Sequence, residues 1–463
     1  MRVLLAVGIL GAAGLVLLGP PLDREDAVRA ALLAGHGVVE LPAGLTEVSS
    51  ELVIPAGSHD LEIRGAPGGT VLRASARFHG RAVIRCEPSA RVTLRGFTID
   101  GNRAALEQPL SLPPSNVTFA RFYRNNGILA DSVLNFTIRD VHLREVANYP
   151  VLVSRSRTVL IERVRIGESG SRNAAGKNNA SGGILLEDGT SGFTVRDCRL
   201  ENVRGNGIWT HSRFASPRNA SGLIAGNRFR MIGRDAVQVG HAVRVRVERN
   251  SGSFIGYPAE EVDMESGAIP AALDTAGDTA GCAYVDNRFE EINGKCIDLD
   301  GFHDGEIRGN RFVNRRPPDA YPHANVGIVF NDSHPHTRSN RITVEDNEID
   351  GLLFTGIFVI GPGHRIVNNR LLNLNRAHCN ENRARFGCYN PAGDPDLLQS
   401  GIYLGRGVLR PNPARETLIR DNLITGYRMR ERCIVAAPGL DRRANLLEGN
   451  RCRDVVAAPA GSP

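Results

Sequence analysis

The chain has 463 residues, 41% hydrophobic and 23% charged, an ordinary globular balance that excludes wholesale disorder. Glycine (51) and proline (25) interrupt the chain too often for a long helical bundle. The net charge is +6, and all but two of the 56 basic residues (Lys177 and Lys295) are arginine. This fits either a solvated arginine surface or attraction to an anionic partner, while no basic run interleaved with aromatics points to nucleic acid.

In chain order, Met1-Arg2 precedes an apolar stretch from Val3 to Leu18. It is short for a bilayer span and has the length of a signal-peptide core. Residues 1–22 are therefore expected to be a signal peptide or an uncleaved N-terminal anchor, and the protein to be secreted or periplasmic. No later stretch would span a bilayer. Eight cysteines suit an oxidising compartment. Cys379 and Cys388 bracket a polar loop and are the best-placed disulfide pair; the others read as core or isolated thiols. No Cys/His spacing suggests zinc. Asp23 to Ala34 reads as a helix with Asp23 as its N-cap.

From about residue 90 the chain repeats itself. One unit is Asn-x-apolar: Asn227-Arg-Phe, Asn287-Arg-Phe, Asn310-Arg-Phe, Asn347-Glu-Ile, Asn369-Arg-Leu, Asn422-Leu-Ile and Asn450-Arg-Cys. A second, Gly-Ile or a close variant, opens strands at Ile184, Ile208, Val237, Val262, Ile297, Ile328, Ile357, Ile402 and Ile434. Short strands with an apolar period of two, recurring every few tens of residues, predict a β-solenoid: one coil cannot bury its apolar face, but stacked coils share a core. The recurring Asn suits a side-chain amide ladder inside a tight bend. Excursions are expected at Gln108–Asn126, Glu168–Ser181, Ser212–Ser221, Gly267–Gly281, Asn314–Asn325 and Arg376–Gln399, where sites tend to be built.

On these repeats the sequence resembles the right-handed parallel β-helix repeat proteins of the pectin-lyase-like superfamily. Ala31 to Gly44, a helix end followed by a first strand and a Pro-x-Gly turn, is similar to that family's opening. The resemblance implies an all-β, right-handed parallel β-helix solenoid over residues 23–463, as a single domain with a short N-terminal capping helix.

Taking each Ile or Val start as inward, the residue two later also points in, and those one and three later point out. The outward set then includes Trp209, Gln238, Asp263, Asp298, Phe358 and Tyr403 in one row, and His211, Glu265, Asp300 and Asn331 in the next. Asp263, Glu265, Asp298 and Asp300 are thereby expected to crowd one patch on adjacent coils. Like charges so placed are unfavourable. Two resolutions stand open: a retained proton, useful for acid–base work on a glycosidic bond, or a Ca²⁺ held by Asp263, Glu265 and Asp298. His241, His303, Asp304, His334 and His336 follow nearby strand ends.

Asp298-Leu299-Asp300-Gly301 is similar to the Asn-Thr-Asp-Gly strand of polygalacturonase-type hydrolases, with Asp300 at the position of their first Asp. Their other motifs are absent downstream. His303-Asp304 matches the second half of the Asp-Pro-His-Asp motif of alginate C5-epimerases. Pectate lyases of the same fold bind Ca²⁺ through aspartates. Hydrolysis, elimination and epimerisation remain alternatives. The leading expectation is a monomeric enzyme acting on an acidic polysaccharide. Asp298, Asp300, His303, Asp263, Glu265 and His241 would be catalytic. Trp209, His211, Gln238, Asp304, Asn331, Phe358 and Tyr403 would bind substrate. The alternative is a non-catalytic glycan-binding or adhesion β-helix.

Overall fold

The computed structural model describes residues 23–178, 181–264, 269–379, 388 and 394–455. The expected signal peptide or anchor at 1–22, and Glu265, lie outside them. Among the described residues no helix is long and apolar enough to cross a membrane.

Helix α1 (Arg24–Leu32) opens the fold. The Asp23 side chain accepts the Asp26 N–H at 2.9 Å, and Val28 and Leu32 are buried in the core at the first coil. Each following coil runs over three faces. In one coil these are Ile208–His211 on face A, Asn219–Ala225 on face B and Arg228–Ile232 on face C; the chain then returns to face A at Val237–Gly240. All strand pairings along the stack are parallel. On face A the inward column runs Leu52, Ile84, Ile128, Val151, Ile184, Ile208, Val237, Leu273, Ile297, Ile328, Ile357, Ile402 and Ile434. The solenoid expected from the repeats is thus present.

One rung differs. The strand expected at Val262 is absent, and Leu273 in Ala271–Ala276 pairs with both Val237 and Ile297. Val262-Asp-Met-Glu alternates like a strand but follows Pro258 and a single 3₁₀ turn, Ala259–Glu261. The true strand, Ala-Ala-Leu-Asp-Thr-Ala, carries one large apolar residue and hides its period. The excursion expected at Gly267–Gly281 is therefore displaced towards the N-terminus, between Ile255 and Ala271.

At the turn from face B to face C, asparagine side chains stack coil upon coil. Nδ2 of Asn227 donates to Oδ1 of Asn250, and the pattern repeats through Asn287, Asn310, Asn347, Asn369, Asn422 and Asn450 at 2.9–3.0 Å. The same oxygens accept the backbone N–H of the preceding Asn, and the amides also donate to strand carbonyls. Every polar group of a buried bend is thereby satisfied without water. Asn250 lacks the apolar partner of the sequence motif, since Ser251-Gly252 follows it.

Cys379 and Cys388 form the expected disulfide, with Cα atoms 5.2 Å apart. Cys433 and Cys452, expected to be isolated thiols, form a second one across the last coil. Cys86, Cys198, Cys282 and Cys296 are buried thiols.

Replacing Asn310 by Ala removes two ladder bonds, takes the acceptor from the buried Asn287 backbone N–H and removes the amide donor to the Tyr284 carbonyl. The expected cost is about 3 kcal/mol or more. Asn450→Ala, at the partly exposed end of the ladder, should cost only about 1 kcal/mol. Chemical denaturation of the two variants checks this; equal losses would contradict a ladder that works by satisfying buried groups.

Candidate active site on face A

The insertions fall at the two edges of face A. At the edge where chain arrives from face C, three excursions interlock. Asn178 donates its N–H to the Glu261 carbonyl at 2.7 Å, and the Tyr257 hydroxyl donates to the Ala320 carbonyl at 2.6 Å. His323 Nε2 lies 3.1 Å from the Ala259 carbonyl. At the opposite edge the loop after His211 carries Phe214. One end of the face is roofed by helix α2 (Arg103–Leu106) and helix α3 (Phe119–Phe122) with the chain around them. The buried Glu187 carboxylate accepts the Phe119 and Ala120 N–H groups at 2.9 and 2.8 Å.

Between these walls the outward row reads Trp209, Gln238, Asp274, Asp298, Val329, Phe358, Tyr403. The Asn206 amide donates to Gln238 Oε1 at 2.7 Å, and Gln238 donates onward to Asp274 Oδ2. On the next rung Lys295 donates to Asp298 Oδ2. Asp235 lies at the start of the same face, its Oδ1 accepting the Ala271 N–H at 2.8 Å. Three carboxyls thus share one ammonium in a mostly buried patch.

Burial pushes Asp235 up to about 6, against the pull of Arg234. Burial raises Asp274 well above the ordinary aspartate value, and the charges of Asp235 and Asp298 add to it. Asp298 is also raised by burial, with Lys295 working against the rise. Burial opposes the charge on Lys295, but the surrounding carboxylates, Asp298 first, hold its pKa above the ordinary value. The lowest-cost arrangement keeps a proton on Asp274 and leaves Asp298 ionised beside Lys295. Asp298 Oδ1 is buried and has no hydrogen-bond partner among the described residues, and the side chain as a whole is 11% exposed.

The other expected site residues divide. Asp300 stands beside Asp298 at the strand end, where its carboxylate accepts from the Ser333 N–H at 2.8 Å and from the Ser333 hydroxyl. Asn331 is the next rung of that row. Asp263 corrects the expected register: it is in the excursion, not on a strand. It accepts from Asn173 Nδ2 at 2.8 Å, and its N–H donates to Asn178 Oδ1. Asp263 therefore leaves the expected patch, and the acids brought together are Asp235, Asp274 and Asp298. Of the candidate Ca²⁺ set, Asp263 is in that excursion and Asp298 holds Lys295, while Glu265 lies outside the described residues. Among the described residues no three His, Cys, Asp or Glu side chains are placed to share an ion.

Trp209 and His211 are under the roof, not open to the groove. Trp209 is 8% exposed and meets the Phe119 ring edge-on at 5.1 Å. The His211 ring lies 4.6 Å from Phe119, and burial drops its pKa to about 4. His303 is at the corner between faces A and B. Its Nε2 faces Asp278 at 2.8 Å and its Nδ1 faces Asp304 at 2.6 Å, while Asp278 and Asp304 pair with Arg218 and Arg341. Both ring nitrogens are thus engaged away from the acid row. His241 packs against Phe214 at 4.5 Å, and burial lowers its pKa to about 4. Phe358 and Tyr403 stack at 5.8 Å, and the Tyr403 hydroxyl is held by Asp394.

A family model described as a right-handed β-helix region matches residues 82–253. The chain has the right-handed parallel β-helix fold that its repeats imply. Among solved structures it is similar to the N-terminal fragment of bacteriophage Phi29 gene product 12: TM-score 0.59, 14% identity, 94% of this chain and 70% of that one. It is similar also to a mutant tailspike of E. coli bacteriophage HK620 in complex with a hexasaccharide, at 0.53, 11%, 93% and 75%. For the Dettilon tailspike the values are 0.52, 14%, 90% and 66%. At these identities the likeness is one of fold. No curated protein matches the chain.

Asp235 and Asp274 have folded-state pKa values above their unfolded one. Their protonated forms therefore contribute stability that is complete below the unfolded value and is lost as pH rises through the folded values. Asp274→Asn, which keeps an oxygen for Gln238, should raise the melting temperature at about pH 8 and flatten its fall between about pH 5 and about pH 8. Thermal denaturation across that range checks this; a lower melting temperature at every pH would make Asp274 a structural residue.

Proposed function

We propose that this chain is an extracellular or periplasmic carbohydrate-active protein that cleaves an acidic polysaccharide laid along the face A groove. The single observation that carries the reading is the carboxyl pair on adjacent rungs, Asp298 accepting from Lys295 and Asp274 from Gln238, with burial raising both pKa values and that of Asp274 the more. Such a pair divides the two roles of glycosidic cleavage. Asp274 gives its proton to the departing glycosidic oxygen as the bond to the anomeric carbon breaks. Asp298 completes the reaction by attacking that carbon or by taking the proton of the water that does. Gln238 and Asn206 orient Asp274, and Asp300 lines the strand end. The HK620 tailspike, whose complex holds a hexasaccharide on the same fold, supports a saccharide ligand. Two disulfides support an oxidising compartment.

A second reading, glycan binding without chemistry, is favoured by one feature. Phe214, 52% exposed, stacks on His334 at 4.3 Å and forms a ring platform at the groove's rim.

Incubation with a panel of polyuronides, with and without chelator, followed by reducing ends and by ultraviolet absorbance of unsaturated products, tests the proposal. New reducing ends without unsaturated product are expected. Asp298→Asn should abolish them with the melting temperature nearly unchanged. Binding by the wild type with no product from any polyuronide would leave the adhesion reading.

A further inference from the structure

The repeat motif holds a residue that the groove does not use. At the start of each face C strand one residue points out, preceded by Asn in the later coils and by Val141, Val164 and Cys198 in the earlier ones. In register along the stack, this position reads His142, Arg165, Arg199, Arg228, Ser251, Arg288, Arg311, Glu348, Arg370. Parallel rungs lie about 4.8 Å apart, and like charges directly opposite one another destabilise a sheet. Where the row carries an acid it neutralises itself: Glu348 takes Arg311 at 2.9 Å on one side and Arg370 at 3.2 Å on the other. Arg165, Arg199 and Arg228 stand on three consecutive rungs with no such acid. Among the described residues none of the three makes an ion pair or side-chain hydrogen bond, and all three are exposed.

These arginines line a groove that runs along the stack beside the turn between faces B and C and continues towards the first coils past Gly96, Gly69 and Gly44. Its other wall carries Asp140, already held by Arg163 at 2.7 and 2.9 Å, and Asp197, the one acid left to oppose three guanidiniums.

The geometry points to a second binding surface, on the side of the molecule away from face A, for a linear acidic polysaccharide running parallel to the solenoid axis. Its carboxylates would be taken by Arg165, Arg199 and Arg228, one per rung. The chemical class of this partner rests on the proposed function; the site and its residues do not. A guanidinium presents a planar fork that a carboxylate meets with two hydrogen bonds, and a row at strand spacing matches a polymer that repeats one charge per sugar. Nucleic acid is the less suited polyanion, since no aromatic side chain interleaves the row to stack on bases. Holding a second stretch of the same chain would keep a long substrate on the enzyme between events in the face A groove.

The test uses the full chain, with polygalacturonate as probe and dextran and duplex DNA as comparison, measured by calorimetry at low and raised salt. Polygalacturonate should bind to the wild type, weakening as salt rises. The variant carrying Arg165→Ser, Arg199→Ser and Arg228→Ser should lose about tenfold or more in affinity, with a melting temperature no lower than wild type. Arg199→Ser alone should weaken binding where Arg311→Ser, whose guanidinium Glu348 already occupies, should not. Unchanged binding by the triple variant, or equal losses in the two single variants, would overturn the proposal. So would DNA binding as tightly as polygalacturonate. If Asp298→Asn alone lost the polymer, binding would belong to face A, and this surface would fall while the proposed function stood. Binding through the arginines without any cleavage would uphold the surface and overturn the activity.

Discussion

The register between coils is the constraint on which the molecule depends. Strand hydrogen bonds alone would tolerate slippage, because backbone ladders repeat every two residues. The asparagine column does not. Each amide-to-amide bond from Asn227 to Asn450 forms only if the next coil places its own Asn directly above. This interior lock makes the exterior legible: a side chain at one outward position lies beside its counterparts on the neighbouring rungs, so rows of chemistry form along the axis without any loop having to assemble them.

That rule works for and against stability. On face A it brings Asp274 beside Asp298, a placement that folding alone disfavours and that Lys295, Gln238 and a retained proton make tolerable. On face C it aligns Arg165, Arg199 and Arg228, and among the described residues none of the three has an ion-pair partner. On the same face Glu348 shows that one acid per three rungs suffices to neutralise such a row. Unrelieved like charge in a scaffold this regular marks places where a partner supplies what the fold leaves out.

Much of this was legible in the sequence. Eight of the nine strand starts named there stand in the face A column, because a large β-branched residue after Gly or Cys is a strong period-two signal. Val262 misled because it alternates as well as a strand does, while the true rung, Ala271–Ala276, fills its inward positions with alanine, leucine and threonine. Thr275 is inward only because its hydroxyl meets that of Tyr284 at 2.6 Å, a contact no local pattern announces. Asp274 was therefore placed in the expected Gly267–Gly281 excursion, and Asp235 and Lys295 carried no signal that singled them out. Trp209 and His211 were read correctly as outward, but their burial depends on α3, a four-residue helix joined to the face by the distant Glu187. Sequence spacing carries stacking order well and carries poorly what an insertion covers.

The account's central claim is that the acid row holds a proton at neutral pH. Carboxyl carbon resonances of a ¹³C-aspartate-labelled sample, with the Asp274 and Asp298 signals assigned by their Asn variants, measure it directly. Asp274 should remain protonated at about pH 7 and Asp298 should be ionised there beside Lys295. Ordinary titration of both groups near about pH 4 would contradict the coupled pair and the chemistry assigned to it.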